Sequence, residues 1–220
     1  MNQEQARFNM VEQQIRTWEV LDPQVLDLLF IVKREEFVPS ACRNLAFADT
    51  EIPLGHGSAM LAPKIEAHAL QALQLKRHEK VLEIGAGSGY MAALLAAHAS
   101  HVWAVEIVPE LAAMASSNLA RGGISNVSVD TGDGMGAAGP WLEQAPFDAI
   151  MISGAVPVVP PELLARLKVG GRLFAIVGEA PAMTAQVVTR LAEDSYRTVN
   201  LFETVAAAMM NAPTPSKFTF

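Results

Sequence analysis

The sequence predicts an α/β fold: a doubly wound, mostly parallel sheet with helices on both faces, antiparallel C-terminal strands and an N-terminal helical extension. From Lys80 onward, short apolar runs alternate with helical stretches, a pattern typical of a parallel sheet covered on both faces. After Gly178, two strand-like runs (186–191 and 197–204) flank a polar tripeptide and indicate a hairpin. Before residue 76 the apolar spacing is mainly helical.

The N-terminal part contains two predicted helices and a loop. Asp22-Pro23 is typical of a helix start, because the aspartate accepts at the N-cap and proline needs no N–H partner. Glycine and proline punctuate 51–63 and predict a structured loop, which a helix follows from Lys64 to Leu75. We therefore divide the compact chain into a region 1–75 and a main domain 76–220.

The main domain alternates strands and helices in a regular order. The predicted parallel strands are 81–84, 102–107, 127–129, 147–152 and 172–177. The helices between them are 90–99, 109–121 and 161–167. Right-handed crossovers then place successive helices over the sheet.

Composition narrows the function classes. The 220 residues carry 16 Lys and Arg against 23 Asp and Glu, a net charge of −7, which argues against nucleic acid or an anionic membrane as partner. Cys42 is the only cysteine, so the chain forms no internal disulfide, and no metal site is predicted. The polar N-terminus and the absence of a long apolar run predict a cytoplasmic protein without a membrane span.

A glycine loop follows the first strand of the main domain. Gly85, Gly87 and Gly89 follow that strand and open a helix, in an arrangement that lets a ligand approach the backbone and free N–H groups. A dinucleotide site requires G-x-G-x-x-G, and here the third glycine is one residue early. Glu83, two residues before the first glycine, suits a cation or an amine better than a pyrophosphate.

Acidic residues also end the next two strands. Glu106, followed by Ile107, is placed to accept both hydroxyls of a ribose and disfavours a 2′-phosphate. Asp133-Gly134 follows the third strand. Each acid alone would be explained by a helix cap or a solvated loop, but three at successive strand ends favour an adenosyl site.

These motifs resemble those of S-adenosylmethionine-dependent methyltransferases, and the chain resembles the protein-L-isoaspartate O-methyltransferase family in particular. The resemblance runs from about residue 9 to about residue 178. The segments that carry it are 37–39, 45–49, 52–57, 81–95, 105–111, 132–134, 145–148, 160–164 and 167–173, and those before the glycine loop are the most specific to the family. The resemblance implies a Rossmann-like methyltransferase sheet and methylation of isoaspartyl carboxylates in damaged proteins. The implied S-adenosylmethionine-binding residues are Glu83, Ile84, Gly85, Ala86, Gly87, Ser88, Gly89, Glu106, Ile107, Asp133 and Gly134.

One segment departs from the family pattern. Members have Gln-Thr-Ile-Ser-x-Pro on the acceptor side, and the serine hydroxyl is held to be catalytic; here the segment is Ser58-Ala59-Met60-Leu61-Ala62-Pro63. The candidate catalytic residues are therefore Leu61, at the position of the family serine, together with Ser58 and His56.

The sequence does not decide which molecule accepts the methyl group. A carboxylate is ionised at neutral pH, so carboxyl methylation needs no general base. The partner is predicted to be a protein or peptide bearing isoaspartate or another carboxylate, and the enzyme a monomer. The alternatives are a methyltransferase of the same fold with a different acceptor and a non-catalytic S-adenosylmethionine-binding protein.

Overall fold

The computed structural model describes residues 2–214. The helices are α1 (Gln3–Asn9), α2 (Pro23–Ile31), α3 (Pro63–Leu73), α4 (Tyr90–Ala96), α5 (Pro109–Arg121) and α6 (Pro161–Ala165). The strands are β1 (Ile52–Gly55), β2 (Ser58–Met60), β3 (Lys80–Ile84), β4 (His101–Glu106), β5 (Val127–Thr131), β6 (Phe147–Val156), β7 (Leu167–Glu179), β8 (Ala182–Ala192) and β9 (Ser195–Thr204).

Strands β3 to β9 form one sheet in the order β5-β4-β3-β6-β7-β8-β9. The pairs from β5 to β7 are parallel, and the last two, β7–β8 and β8–β9, are antiparallel. The predicted doubly wound sheet with antiparallel C-terminal strands is confirmed. The chain runs from β3 to β5 in one direction and resumes with β6 on the other side of β3, so a topological switch point lies beside the carboxyl end of β3.

The region predicted as a structured loop contains a short hairpin. Strands β1 and β2 pair antiparallel with each other and stand apart from the large sheet. Ile52 and Leu54 point inward while the residues between and after them are exposed. Strands of four and three residues are too short to show a clear period of two in sequence, which is why the pattern indicated only a loop.

Two apolar layers cover the sheet. One layer joins the N-terminal helices and α3 to α5 to one sheet face, and it includes Met10, Leu29 and Met151. The other lies under α6 and includes Leu82 and Ile152. The N-terminal region thus shares a core with the sheet, and a domain boundary at residue 75 stays a prediction. Within residues 2–214, no helix is both long enough and apolar enough to cross a bilayer.

Candidate active site

A cleft of about 570 Å³ opens at the switch point. It is bordered by the carboxyl ends of β3 and β4 and by the turn that follows β5. A smaller cavity of about 280 Å³ adjoins it on the side of the β1–β2 hairpin. Both cavities are bordered by Ala59, Gly85, Gly87 and Ser153. The predicted site residues that line the larger cleft are Ser58, Ile84, Gly85, Gly87, Glu106, Ile107, Asp133 and Gly134.

The glycine loop turns sharply between β3 and α4. Gly85, Gly87 and Gly89 have φ of +90°, +52° and +82°, in the left-handed region that favours glycine. Gly89 serves packing and lines neither cavity, because a Cβ there would lie 3.1 Å from the backbone of Ala115 in α5. Ala86 and Ser88 line the smaller cavity. The loop therefore exposes backbone to the cleft at its first two glycines.

Glu83 is fully buried at the end of β3 and lines the smaller cavity. Its Oε1 accepts a hydrogen bond from the Ser153 hydroxyl at 2.9 Å, while its Oε2 has no partner among the described residues. Burial, aided by the nearby carboxylates of Glu106 and Glu66, raises the pKa of Glu83 to about 8, although the Ser153 hydrogen bond lowers it. An unpartnered buried carboxylate oxygen is an acceptor for a cationic ligand group.

Glu106 holds the loop in place at the end of β4. Its Oε2 accepts from the Gly87 N–H at 2.8 Å, and its Oε1 accepts from the Val108 N–H at 3.0 Å. A carboxylate oxygen has more than one acceptor position, so Glu106 still has acceptor capacity toward the cleft that it lines. Its role in holding the Gly87 and Val108 backbone and a ligand-binding role are compatible.

Asp133 and Gly134 form the far wall of the cleft. Asp133 Oδ1 accepts from the Met135 N–H, and Oδ2 accepts from the Asn211 side-chain amide, both at 3.0 Å. A Cβ at Gly134 would lie 2.5 Å from the Ile84 side chain, so the chain closes onto β3 only with glycine there. The three acidic strand ends thus border one pair of adjoining cavities.

The acceptor-side candidates separate in the structure. Ser58 lines the larger cleft, whereas Leu61 is buried and lines the smaller cavity. His56 lies between Gly55 and Gly57 at the exposed tip of the hairpin, with φ of +53°, and lines neither cavity. His56 therefore lies in the same loop as Ser58 and Leu61 but away from the cleft.

Two parts of the site were not predicted from the sequence. Ser153 in β6 lines both cavities, and the segment Ala207–Met210 after β9 lines the larger one. That segment is held across β6, because Ala155 donates to Ala207 and Met209 donates to Ala155, each at 2.8 Å. These backbone hydrogen bonds join residues far apart in the sequence, so no local motif predicts that the segment lies at the cleft.

The family profile of protein-L-isoaspartate(D-aspartate) O-methyltransferase matches residues 5–209. The chain belongs to this family. A protein-L-isoaspartate O-methyltransferase of Myxococcus xanthus is 47% identical over 159 residues, which are 72% of this chain and 74% of that protein. The Opitutus terrae protein of the same name is 42% identical over 181 residues, 80% of this chain and 76% of that protein.

Solved structures of the family share the fold. A Plasmodium falciparum protein assigned to the protein-L-isoaspartate O-methyltransferases, crystallised with S-adenosyl-L-homocysteine, superposes with a TM-score of 0.80 at 20% identity, covering 94% of this chain and 98% of that one. A second protein-L-isoaspartate O-methyltransferase superposes with a TM-score of 0.78 at 24% identity and covers 92% of this chain and 65% of that one. These likenesses confirm the Rossmann-like methyltransferase fold.

Proposed function

We propose that this protein transfers a methyl group from S-adenosylmethionine to the isoaspartyl carboxylate of peptides or proteins. The observation that carries the proposal is the convergence of Glu83, Glu106 and Asp133 on adjoining cavities at the switch point, in a chain of the isoaspartate methyltransferase family. The names of its relatives and the S-adenosyl-L-homocysteine held by the Plasmodium falciparum structure support the same cofactor.

The residues at the amino-acid end of the site fit this cofactor. Glu83 Oε2 is buried and has no partner within residues 2–214, and an α-ammonium group would satisfy it. Gly85 and Gly87 have positive φ values, which favour glycine, and without side chains they present bare backbone to both cavities. We assign Glu83, Ile84, Gly85 and the Ala86–Ser88 backbone to this end, while Gly89 supports them by packing.

The residues at the nucleoside end fit as well. Glu106 is held by two backbone N–H groups, so its carboxylate is already oriented for the hydroxyls of a ribose. Ile107 and Gly134 offer apolar surface and close backbone to a base, and Asp133 offers an acceptor at the same wall. When bound, S-adenosylmethionine supplies an electrophilic methyl group on a sulfonium.

The remaining work of the protein is orientation. An isoaspartyl carboxylate is already ionised, so the chain need not remove a proton from it. Ser58 borders the larger cleft, where its hydroxyl can donate a hydrogen bond to an acceptor carboxylate, and Ser153 lies at the junction of the two cavities. Alignment of acceptor and donor supplies about 7–11 kcal/mol of a barrier in favourable cases.

A second candidate is the same methyl transfer to a different acceptor. Leu61 is 4% exposed, and its residue lines the smaller cavity at the position where the family has a serine. Ala59 likewise offers no hydroxyl at the junction of the two cavities. An apolar wall there favours an acceptor with an apolar group beside its carboxylate.

Methyl-ester formation on an isoaspartyl peptide, compared with the aspartyl peptide of identical sequence, separates the two candidates. Turnover of the isoaspartyl peptide alone supports the first. Binding of S-adenosylhomocysteine without turnover of either peptide, together with a gain of activity in Leu61→Ser, supports the second. A monomeric state, a cytoplasmic location and the lack of a nucleic-acid partner stay predictions.

A further inference from the structure

Arg34, which lies between α2 and the β1–β2 hairpin, is buried beside the site and was not part of it in the sequence analysis. It is only 1% exposed. Its Nη2 donates to the main-chain carbonyl of Leu61 at 2.7 Å, and its Nη1 pairs with the Glu66 carboxylate. Its guanidinium lies 5.0 Å from the centre of the Tyr90 ring. One side chain therefore contacts three parts of the chain.

These three contacts join the two halves of the site. Leu61 directly follows β2, whose residues Ser58 and Ala59 border the larger cleft. Glu66 lies in the first turn of α3, immediately after that segment. Tyr90 is the first residue of α4, next to the glycine loop. Arg34 thus fixes the acceptor-side segment relative to the cofactor-side loop.

The hairpin needs such an anchor. Strands β1 and β2 pair with each other and with no strand of the large sheet among the described residues. Arg34 is suited to the task because its planar, forked guanidinium binds a carbonyl and a carboxylate at once while stacking on an aromatic ring, which a lysine ammonium does not reproduce. The interaction with Leu61 uses the backbone, so it is independent of the side chain at that position.

We propose that Arg34 is a positioning residue for methyl transfer: it sets the distance between the Ser58–Leu61 segment and the glycine loop, with Glu66 holding its guanidinium in place. The inference rests on the proposed function but concerns a residue that does not touch either reactant. Loss of alignment lowers the rate of the bound complex more than it lowers cofactor affinity, and a displacement of about 1 Å costs up to about 100-fold in rate.

The chain contains a matched control. Arg7 and Glu35 form a second buried arginine–glutamate pair, and the Arg7 guanidinium lies 5.7 Å from the centre of the Phe47 ring. Arg7 lines neither cavity of the site. Arg7→Lys and Arg34→Lys therefore remove similar contacts from the same N-terminal part of the fold, but only the latter releases the Leu61 carbonyl.

The experiment measures kcat and KM for an isoaspartyl peptide, S-adenosylhomocysteine affinity and the denaturation midpoint for both variants. We expect Arg34→Lys to lower kcat about 10- to 100-fold with cofactor affinity changed less than about threefold, and Arg7→Lys to retain kcat at a similar loss of stability. Equal kcat losses in the two variants, or a loss of cofactor affinity that matches the loss of kcat, would overturn the proposal.

A second readout does not depend on activity. Amide hydrogen exchange of 58–61 should be faster in Arg34→Lys than in Arg7→Lys; equal exchange overturns the positioning role even if the wild-type chain methylates no peptide. Inactivity of the wild-type chain with faster exchange in Arg34→Lys would instead count against the proposed function alone. If Arg34→Lys does not fold, Glu66→Gln replaces it, with a smaller kcat loss and faster exchange expected, and no change in either overturns the proposal.

Discussion

Replacing Glu83 with glutamine should stabilise the fold and weaken cofactor binding at the same time. Glu83 is fully buried, and burial raises its pKa from 4.5 to about 8. A folded state that retains a proton which the unfolded chain has released becomes less stable as pH rises from the lower value to the higher one. At about 1.4 kcal/mol per pH unit, the cost of Glu83 at pH 7 is about 3 kcal/mol.

Glutamine has the same shape without this cost. Glu83→Gln should therefore gain up to about 3 kcal/mol at pH 7 and almost nothing near pH 4.5. Glutamine cannot release a proton to become the charged acceptor that an α-ammonium group favours, so S-adenosylhomocysteine binding should weaken about 10- to 100-fold. Urea denaturation at low and neutral pH and isothermal titration calorimetry measure the two effects. A variant that is no more stable at neutral pH, or that binds the ligand as tightly as the wild type, would refute the reasoning.

Three further changes test other parts of the site and fold. Glu106→Gln should cost about 1–3 kcal/mol of stability and weaken S-adenosylhomocysteine binding. The glutamine oxygen can replace one carboxylate oxygen, but its NH2 group is a donor and cannot accept from the second backbone N–H. A denaturation midpoint equal to that of the wild type would contradict this. Gly134→Ala should cost about 1–3 kcal/mol because its Cβ would lie 2.5 Å from a side chain, whereas Gly122→Ala, with 3.5 Å of space, should change the same midpoint little. Arg172→Met should cost about 3–5 kcal/mol by leaving Glu79 buried without its partner. Burial opposes the ionisation of Glu79, but the hydrogen bonds from Arg172 and from the Lys76 N–H, together with the charge of Arg172, outweigh it and lower the pKa of Glu79. The wild type should therefore lose this stability as pH falls below the ordinary glutamate value of 4.5, and Arg172→Met should not.

Local sequence patterns were sufficient to predict the sheet and to place the proposed cofactor-binding residues at one edge of it. The glycine loop, Glu83 and Glu106 lie within a few residues of strand ends, so strand prediction also placed the loop and both acids at the same edge of the sheet. The parallel direction of the strands followed from the alternation of strands and helices. In a parallel sheet a residue's distance from a strand end along the sequence also gives its distance from the binding edge, so sequence spacing was enough here.

The acceptor end depends on long-range contacts that spacing does not encode. Arg34 reaches the Leu61 carbonyl across 27 positions, and Ser153 reaches Glu83 across 70. His56 shows the converse: its place between two glycines suggested the cleft, but the positive φ values of the turn leave it exposed at the tip. Which residues of a loop face a cleft is decided by the packing of the loop as a whole.

The central claim is that the acidic ends of β3 and β4 and the acidic turn after β5 bind one adenosyl cofactor. A crystal structure of the complex with S-adenosylhomocysteine tests it most directly. The account predicts the ribose hydroxyls at hydrogen-bond distance from Glu106, the base against the Asp133-Gly134 wall and the amino-acid end beside Glu83. Density for the ligand outside this cleft, or in it with no contact to these three side chains, would contradict the account.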